Sequence, residues 1–116
     1  MSESDKSNKE RRRFPRIAAP VYYRVAKSEN LRQRVSDISV GGVRIYSDER
    51  YEIGQRLELE LFFPNDVSGK GIARVVWIKA LPPGAGPAYD VGLEFLELPD
   101  ETIKRLLAAL KEKTSP

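Results

Sequence analysis

Near its centre the chain reads Leu57-Glu58-Leu59-Glu60-Leu61, with a leucine at every second position and a glutamate between. Successive side chains of a β-strand point to opposite faces of the sheet, so this alternation predicts a strand with one apolar and one polar face. It is the clearest strand pattern in the sequence and indicates a β-sheet protein.

Further runs of the same kind lie on both sides of this stretch. Residues 72–78 are β-branched and apolar on both faces, which predicts a central strand. Shorter runs with a two-residue period occupy residues 21–25, 31–35, 43–46 and 91–95. Turn residues separate the runs, among them Gly41-Gly42 and Pro64-Asn65-Asp66. About six short antiparallel strands at this spacing indicate a sandwich or a barrel.

The end of the chain has a different period. After Pro99, Asp100 and Glu101 favour a helix start, because acidic side chains cap the first turn or complement its dipole. Apolar residues then recur at helical spacing, namely Ile103, Leu106, Leu107 and Leu110. A single C-terminal helix therefore follows the strands.

Length and composition restrict the function. The 116 residues suit one domain, and the chain contains neither cysteine nor histidine. It therefore has no thiolate metal site and lacks the usual general base, so we expect a protein that is not an enzyme. No segment has the roughly 20 apolar residues of a membrane helix, and residues 1–6 do not resemble a signal peptide. We expect a cytoplasmic protein without membrane insertion.

The net charge of +3 is concentrated at the N-terminus. Residues 1–16 hold six basic and three acidic side chains, whereas the remaining residues hold fourteen of each. Residues 1–10 are polar and without periodicity, which predicts a disordered tail. Excess charge on one short segment indicates a compact anionic partner, whereas nucleic-acid polymers more often meet a whole basic face.

The first candidate motif is Arg11-Arg12-Arg13-Phe14-Pro15-Arg16, directly before the first predicted strand. The guanidinium group binds phosphate in a bidentate manner, stacks on bases and pairs with the O6/N7 edge of guanine. The segment could therefore wrap an anionic guanine nucleotide. A solvated basic tail or a nucleic-acid arm are the alternatives that the run alone leaves open.

The second candidate motif is Asp37-Ile38-Ser39-Val40-Gly41-Gly42, between two predicted strands. Asp37 can accept hydrogen bonds from the N1 and N2 groups of guanine, and Ser39 can donate to a phosphate oxygen. Gly42 has no Cβ, so a ligand can approach its backbone or the chain can adopt positive φ. A hairpin whose Asp, Ser and Gly only satisfy turn geometry is the alternative.

Together the two motifs resemble the PilZ domain family. The resemblance consists of an Arg-x-x-x-Arg pair before the first strand and an Asp-x-Ser-x-x-Gly segment after the second. It continues through residues 71–77 and 90–95 and the C-terminal helix, and covers residues 10–112. It implies an all-β fold, a six-stranded antiparallel barrel with a C-terminal α-helix. The domain would span residues 11–112, between disordered tails at 1–10 and 113–116.

The resemblance also implies a ligand, the second messenger cyclic di-GMP, and no cofactor. Arg12 and Arg16 would take guanine edges and phosphates, Asp37 and Ser39 would hold the other side, and Gly42 would give room. Arg11, an additional arginine before the pair, implies a stacked dimer of the messenger. Trp77 either stacks on a guanine or packs in the core, and the sequence leaves both open.

The function implied is a receptor whose arginine segment becomes ordered on ligand binding and which signals to a partner protein. One alternative is a PilZ-like protein-interaction adaptor that does not bind the messenger. Another is a small nucleic-acid-binding barrel, which would interleave basic and aromatic residues across a strand face. Glu58 and Glu60 favour acidic or neutral strand faces instead.

Overall fold

The computed structural model describes residues 20–27, 31–84 and 86–114. They form seven strands and one helix: β1 (Tyr22–Val25), β2 (Gln33–Arg34), β3 (Asp37–Ile38), β4 (Gly42–Ser47), β5 (Arg56–Phe63), β6 (Val67–Ala80), β7 (Tyr89–Glu97) and α1 (Asp100–Thr114). The mainly β architecture with one C-terminal helix is confirmed. The helix continues two residues beyond the expected domain boundary at residue 112.

All strand pairs are antiparallel, in the order β2-β1-β5-β6-β7-β4-β3. The two outermost strands, β2 and β3, are separated in the chain only by Val35 and Ser36. Val35 N donates to Val21 O at 3.0 Å, and Ser36 N donates to Arg44 O at 2.8 Å. One extended segment thus pairs with β1 by its first half and with β4 by its second, which curls the sheet and brings its edges together. This accounts for seven strands where about six were predicted.

The core follows the alternation that defines β5. Leu57, Leu59 and Leu61 are buried, and the glutamates between them face outward or lie half-buried. The same alternation places Val43 and Ile45 of β4 inside the curled sheet. The central position of β6, between β5 and β7, is also confirmed. The alternation of apolar residues therefore predicted the buried faces of β4 and β5.

The helix packs on β5 and β6 with a stripe that differs from the predicted one. Thr102, Leu106 and Ala109 are buried, whereas Leu107 is 50% exposed, so its predicted place on the buried stripe is wrong. The Thr102 hydroxyl donates to Lys70 O at 2.9 Å. A Cβ on Gly69 would lie within 2.6 Å of that hydroxyl oxygen, so the glycine permits the close approach of helix and strand.

Candidate functional site

The outer face of β3, β4, β7 and β6 carries one row of residues across four strands. Asp37 of β3 lies opposite Arg44 of β4, Arg44 lies opposite Gly92 of β7, and Gly92 lies opposite Trp77 of β6. Since neighbouring strands are about 4.8 Å apart, the row spans about 14 Å. We call this surface the Trp77 face, and it unites two predicted site residues, Asp37 and Trp77, with two others.

The outward direction of Trp77 depends on a bulge. Val75 is buried, so strict alternation would return the indole to the interior two residues later. The pairing of β6 with β7 instead shifts register between Val75 and Trp77. The extra residue, Val76, is exposed, and Trp77 points outward with 40% of its surface accessible. The core alternative for Trp77 is therefore wrong.

Gly92 provides the space in which the indole lies. A Cβ at this position would overlap Nε1 and Cε2 of Trp77, so the ring rests directly on the glycine backbone. One ring face is thereby held against the sheet, and the exposed part of the ring is a flat aromatic surface on which a nucleobase can stack. Sequence analysis did not single out Gly92, because the contact joins residues fifteen positions apart through a strand pair.

We expect Gly92→Ala to displace the indole. The added methyl group collides with the ring, which must rotate into solvent or push the strands apart, at a cost of about 1–3 kcal/mol. Trp77 is the only tryptophan in the chain, so its fluorescence reports the change directly. The emission maximum should move to longer wavelength. Gly86→Ala, at a glycine whose Cβ would meet open space, should leave the emission unchanged. Identical spectra for both variants would contradict the contact.

Arg44 links the row to a buried carboxylate. Its Nε donates to Asp90 Oδ1 at 2.9 Å and its Nη2 donates to Asp90 Oδ2 at 2.6 Å. The Asp90 side chain is 7% exposed and that of Arg44 is 39% exposed. The guanidinium carbon lies 5.9 Å from the centre of the Trp77 ring. The bidentate pair therefore orients a partly accessible guanidinium between Asp37 and Trp77. Sequence analysis did not single out Arg44, because its place beside Asp37 follows from the pairing of β3 with β4.

The electrostatics of the pair are mutually reinforcing. The hydrogen bonds from Arg44 hold the pKa of Asp90 below its usual range, although burial acts in the opposite direction. The pKa of Arg44 is raised, chiefly by the same hydrogen bonds, with smaller contributions that include the negative charge of Asp37. Both groups are therefore charged throughout the neutral range.

The depressed pKa of Asp90 gives a pH dependence with a defined sign. The carboxylate is stabilised in the folded state, so its contribution is fully present above the unfolded pKa, about 3.9, and is lost as pH falls through the lower folded pKa. We expect the melting temperature of the native chain to fall steeply in acid below about pH 4. Asp90→Asn should be less stable at pH 7 and show a flatter acid limb. An equally steep limb in the variant would contradict the assignment.

The Asp-x-Ser-x-x-Gly segment forms the hairpin between β3 and β4. Ser39 N donates to Gly42 O at 2.9 Å, and Gly41 N donates to Ser39 Oγ at 3.1 Å. The buried Ser39 side chain thus fixes the turn, and its hydroxyl hydrogen can still be donated. Gly42 lies in β4 opposite Glu94, and its φ is not positive. Among the described glycines, only Gly54 and Gly84 have positive φ. Of the two roles considered for Gly42, only close approach remains.

The predicted arginine site residues, Arg11, Arg12 and Arg16, lie outside the described residues, as do most of the predicted tails. The described residues contain no helix long and apolar enough to span a membrane. Nor do they contain a group of three or more Asp or Glu side chains able to hold a metal ion.

Comparison with known proteins gives the class. The family model described as "PilZ domain" matches residues 10–112, and this chain therefore belongs to the PilZ domain family. The family is one of ligand-binding receptor domains rather than of enzymes. No curated protein sequence gives a match.

Solved structures show the same fold at low sequence identity. The motility inhibitor MotI/DgrA of Bacillus subtilis is 21% identical with a TM-score of 0.70, and the match covers 89% of this chain and 51% of that one. The PilZ domain of Escherichia coli YcgR with c-di-GMP is 21% identical with a TM-score of 0.62, over 89% and 94% of the two chains. K. pneumoniae MrkH in complex with c-di-GMP is 20% identical with a TM-score of 0.65, over 89% and 53%. This chain thus spans about half the length of MotI/DgrA and MrkH.

Proposed function

We propose that the chain is a cyclic di-GMP receptor and that the messenger binds on the Trp77 face. The row of Asp37, Arg44, Gly92 and Trp77 carries the proposal. On one exposed strip, Asp37 can accept hydrogen bonds from guanine, Arg44 can donate hydrogen bonds to a phosphate, and Trp77 can stack on a base. Two structures of the same fold, YcgR and MrkH, are complexes with c-di-GMP, which supports this choice of ligand.

The path of the chain supports a role for the arginine segment. Val21 O accepts a hydrogen bond from Val35 N, two residues before Asp37, so the chain enters β1 beside the Asp37 hairpin. Arg16 precedes Pro20 by four residues, and an extended chain spans at most about 3.5 Å per residue. The four residues from Arg16 to Pro20 can therefore span at most about 14 Å, a reach comparable to the width of the Trp77 face.

Each predicted site residue has a defined task in this proposal. Arg12 and Arg16 bind guanine edges and phosphates from above, and Asp37 accepts from the N1 and N2 groups of one guanine. Ser39 donates its hydroxyl hydrogen to a phosphate oxygen, and Gly42 lets the ligand approach the strand. Trp77 stacks on a base, a contact typically worth about 1–3 kcal/mol.

Ligand binding orders the arginine segment, and the energetics set the affinity. Fixing a residue costs about 1–2 kcal/mol of conformational entropy. Each charge-assisted hydrogen bond contributes about 1.5–3 kcal/mol, so several must form to offset this entropy loss. Micromolar affinity that weakens with salt is the expected balance. The messenger is doubly charged and does not cross a membrane unaided, so the receptor must share its compartment, which we infer is the cytoplasm.

Arg11 extends the site to a second messenger molecule. A third guanidinium ahead of the Arg12 and Arg16 pair offers an additional phosphate and guanine contact, which suits a stacked dimer of the ligand. The ordered segment then presents a new surface to a partner protein, through which the signal leaves the domain.

Arg16→Ala tests the clamp. We expect the dissociation constant for cyclic di-GMP to rise about tenfold in calorimetric titration, because one bidentate charged contact is lost. Arg13→Ala removes the same charge from the same segment at a position without an assigned contact, and should raise the constant less than threefold. If the two variants lose affinity equally, the segment acts only through its overall charge. An unchanged affinity in Arg16→Ala would exclude a direct contact of Arg16 with the ligand.

A further inference from the structure

A second surface with a different composition lies across the barrel, on the outer side of β2, β1 and β5. Tyr22 of β1 stands in its centre, opposite Arg34 of β2 and opposite Phe62 of β5. Tyr22 and Arg34 are exposed and Phe62 is half-buried. We call this surface the Tyr22 face, and it comprises Tyr22, Arg24, Leu31, Arg32, Arg34 and Phe62.

Two arginines of this face share one aromatic ring. The guanidinium carbon of Arg32 lies 3.8 Å from the centre of the Phe62 ring, and that of Arg24 lies 5.8 Å from it. Both contacts are cation–π interactions, which fix the direction of long side chains at a surface. Arg32, directly before β2, and Arg24 of β1 thus hold two positive charges next to the same ring.

The face is positive in net charge. Arg24 forms an ion pair with Glu60, in which Nη2 lies 2.7 Å from Oε1. Arg34 has no ion pair within the part of the chain that the structure describes, and Arg32 lies near Asp66. Glu58 and Glu60 lie on the outer side of β5, as expected, and the positive charge of this face comes from arginines on and beside the neighbouring strands. Arg24 neutralises Glu60, and Arg34 of β2 adds a positive charge that has no ion pair among the described residues.

Apolar side chains adjoin these charges. Leu31 is 85% exposed directly before Arg32, and the Tyr22 ring is exposed beside Arg34. Tyrosine and arginine are enriched at the centres of protein interfaces, where they contribute most of the binding energy. Nucleic-acid single strands need several open rings for stacking, whereas here Arg32 covers Phe62 and one ring, Tyr22, is open. The composition therefore favours a protein partner.

We propose that the Tyr22 face is a docking site for an acidic, amphipathic segment of a partner protein. Leu31 and Tyr22 contact the apolar side chains of the segment, and Arg32 and Arg34 pair with its carboxylates. Because the face uses strands other than those of the Trp77 face, docking does not require the messenger, and the two surfaces can be occupied together.

The test uses the full chain and a labelled peptide of alternating glutamate pairs and leucine pairs, followed by fluorescence anisotropy. Wild-type protein should bind it, with affinity that falls as salt rises. The double variant Arg32→Glu/Arg34→Glu should bind about tenfold more weakly or worse. The matched control Arg50→Glu/Lys104→Glu makes the same change in net charge at exposed positions outside the face and should bind like wild type. Both double variants are first compared by thermal melting.

A second measurement on the unaltered protein covers the case in which the double variant fails to fold. Titration of wild-type chain with the peptide should shift backbone amide resonances of β1, β2 and β5 and leave those of β4 and β7 in place. The proposal is overturned if the peptide does not bind, if the resonance shifts lie elsewhere, or if both double variants bind equally. Tighter binding of oligothymidine than of the acidic peptide would overturn it in favour of a nucleic-acid surface.

Discussion

Replacement of Asp37 by asparagine is expected to weaken binding of cyclic di-GMP about a hundredfold. A carboxylate that accepts from two guanine N–H groups makes two charge-assisted hydrogen bonds, worth together about 3 kcal/mol or more. Asparagine keeps the shape of the side chain but offers one acceptor and places an NH2 group against a guanine donor. The loss therefore follows from chemistry rather than from space, and calorimetric titration measures it.

Asp66→Asn is the matched control for this variant. Asp66 lies in the turn between β5 and β6 with a φ of 60°, a conformation that asparagine adopts as readily as aspartate. It removes the same negative charge without touching the Trp77 face. Affinity should stay within a factor of two, and both variants should melt within a few degrees of wild type. A hundredfold loss in Asp66→Asn, or none in Asp37→Asn, would remove Asp37 from the site.

The second large effect concerns stability. Leu59→Ala is expected to lower the free energy of unfolding by about 2–5 kcal/mol, since the side chain is fully buried in β5 and its removal leaves a cavity. A domain of this size is stable by only about 5–15 kcal/mol, so the variant should melt many degrees lower or fail to fold at 37 °C. Urea unfolding followed by circular dichroism gives the value.

Leu107→Ala is the control for the core prediction. Leu107 is also a leucine, but it lies half-exposed on the helix. Its truncation should therefore lower the free energy of unfolding by less than about 0.5 kcal/mol. The pair of variants distinguishes the structure from the sequence pattern, which grouped Leu107 with the buried residues of the helix. Equal losses of stability in both would mean that the helix packs with the face that the sequence predicted.

These residues also show how far sequence reasoning extends. The alternation of Leu57, Leu59 and Leu61 predicted a buried face because a strand has a period of two and each polar neighbour agrees with it. The helix was harder, since 3.6 residues per turn let the candidate stripe include Leu107, and only packing on β5 and β6 decides between adjacent positions. There Thr102 and Ala109 are buried instead.

The candidate site, like the core, could be predicted only in part from the sequence. Asp37 and Trp77 were both proposed as ligand residues, but nothing in the sequence places them in one row, because the register of three strand pairs and a bulge at Val76 determine it. Residues 72–78 are apolar on both faces, so they carry no alternation from which a bulge could be predicted. Arg44 and Gly92 belong to the row for the same reason, and no local motif marks either of them.

The most direct test of the receptor function is a calorimetric titration of the purified chain with cyclic di-GMP, with GTP as the control ligand. We expect saturable binding near micromolar concentration, absent for GTP, and a stoichiometry near two messenger molecules per chain if Arg11 has the role proposed for it. A stoichiometry of one would exclude the stacked dimer of the messenger but would still support a receptor function. Absence of binding at high protein concentration would contradict the central claim and favour a PilZ adaptor that acts through protein partners alone.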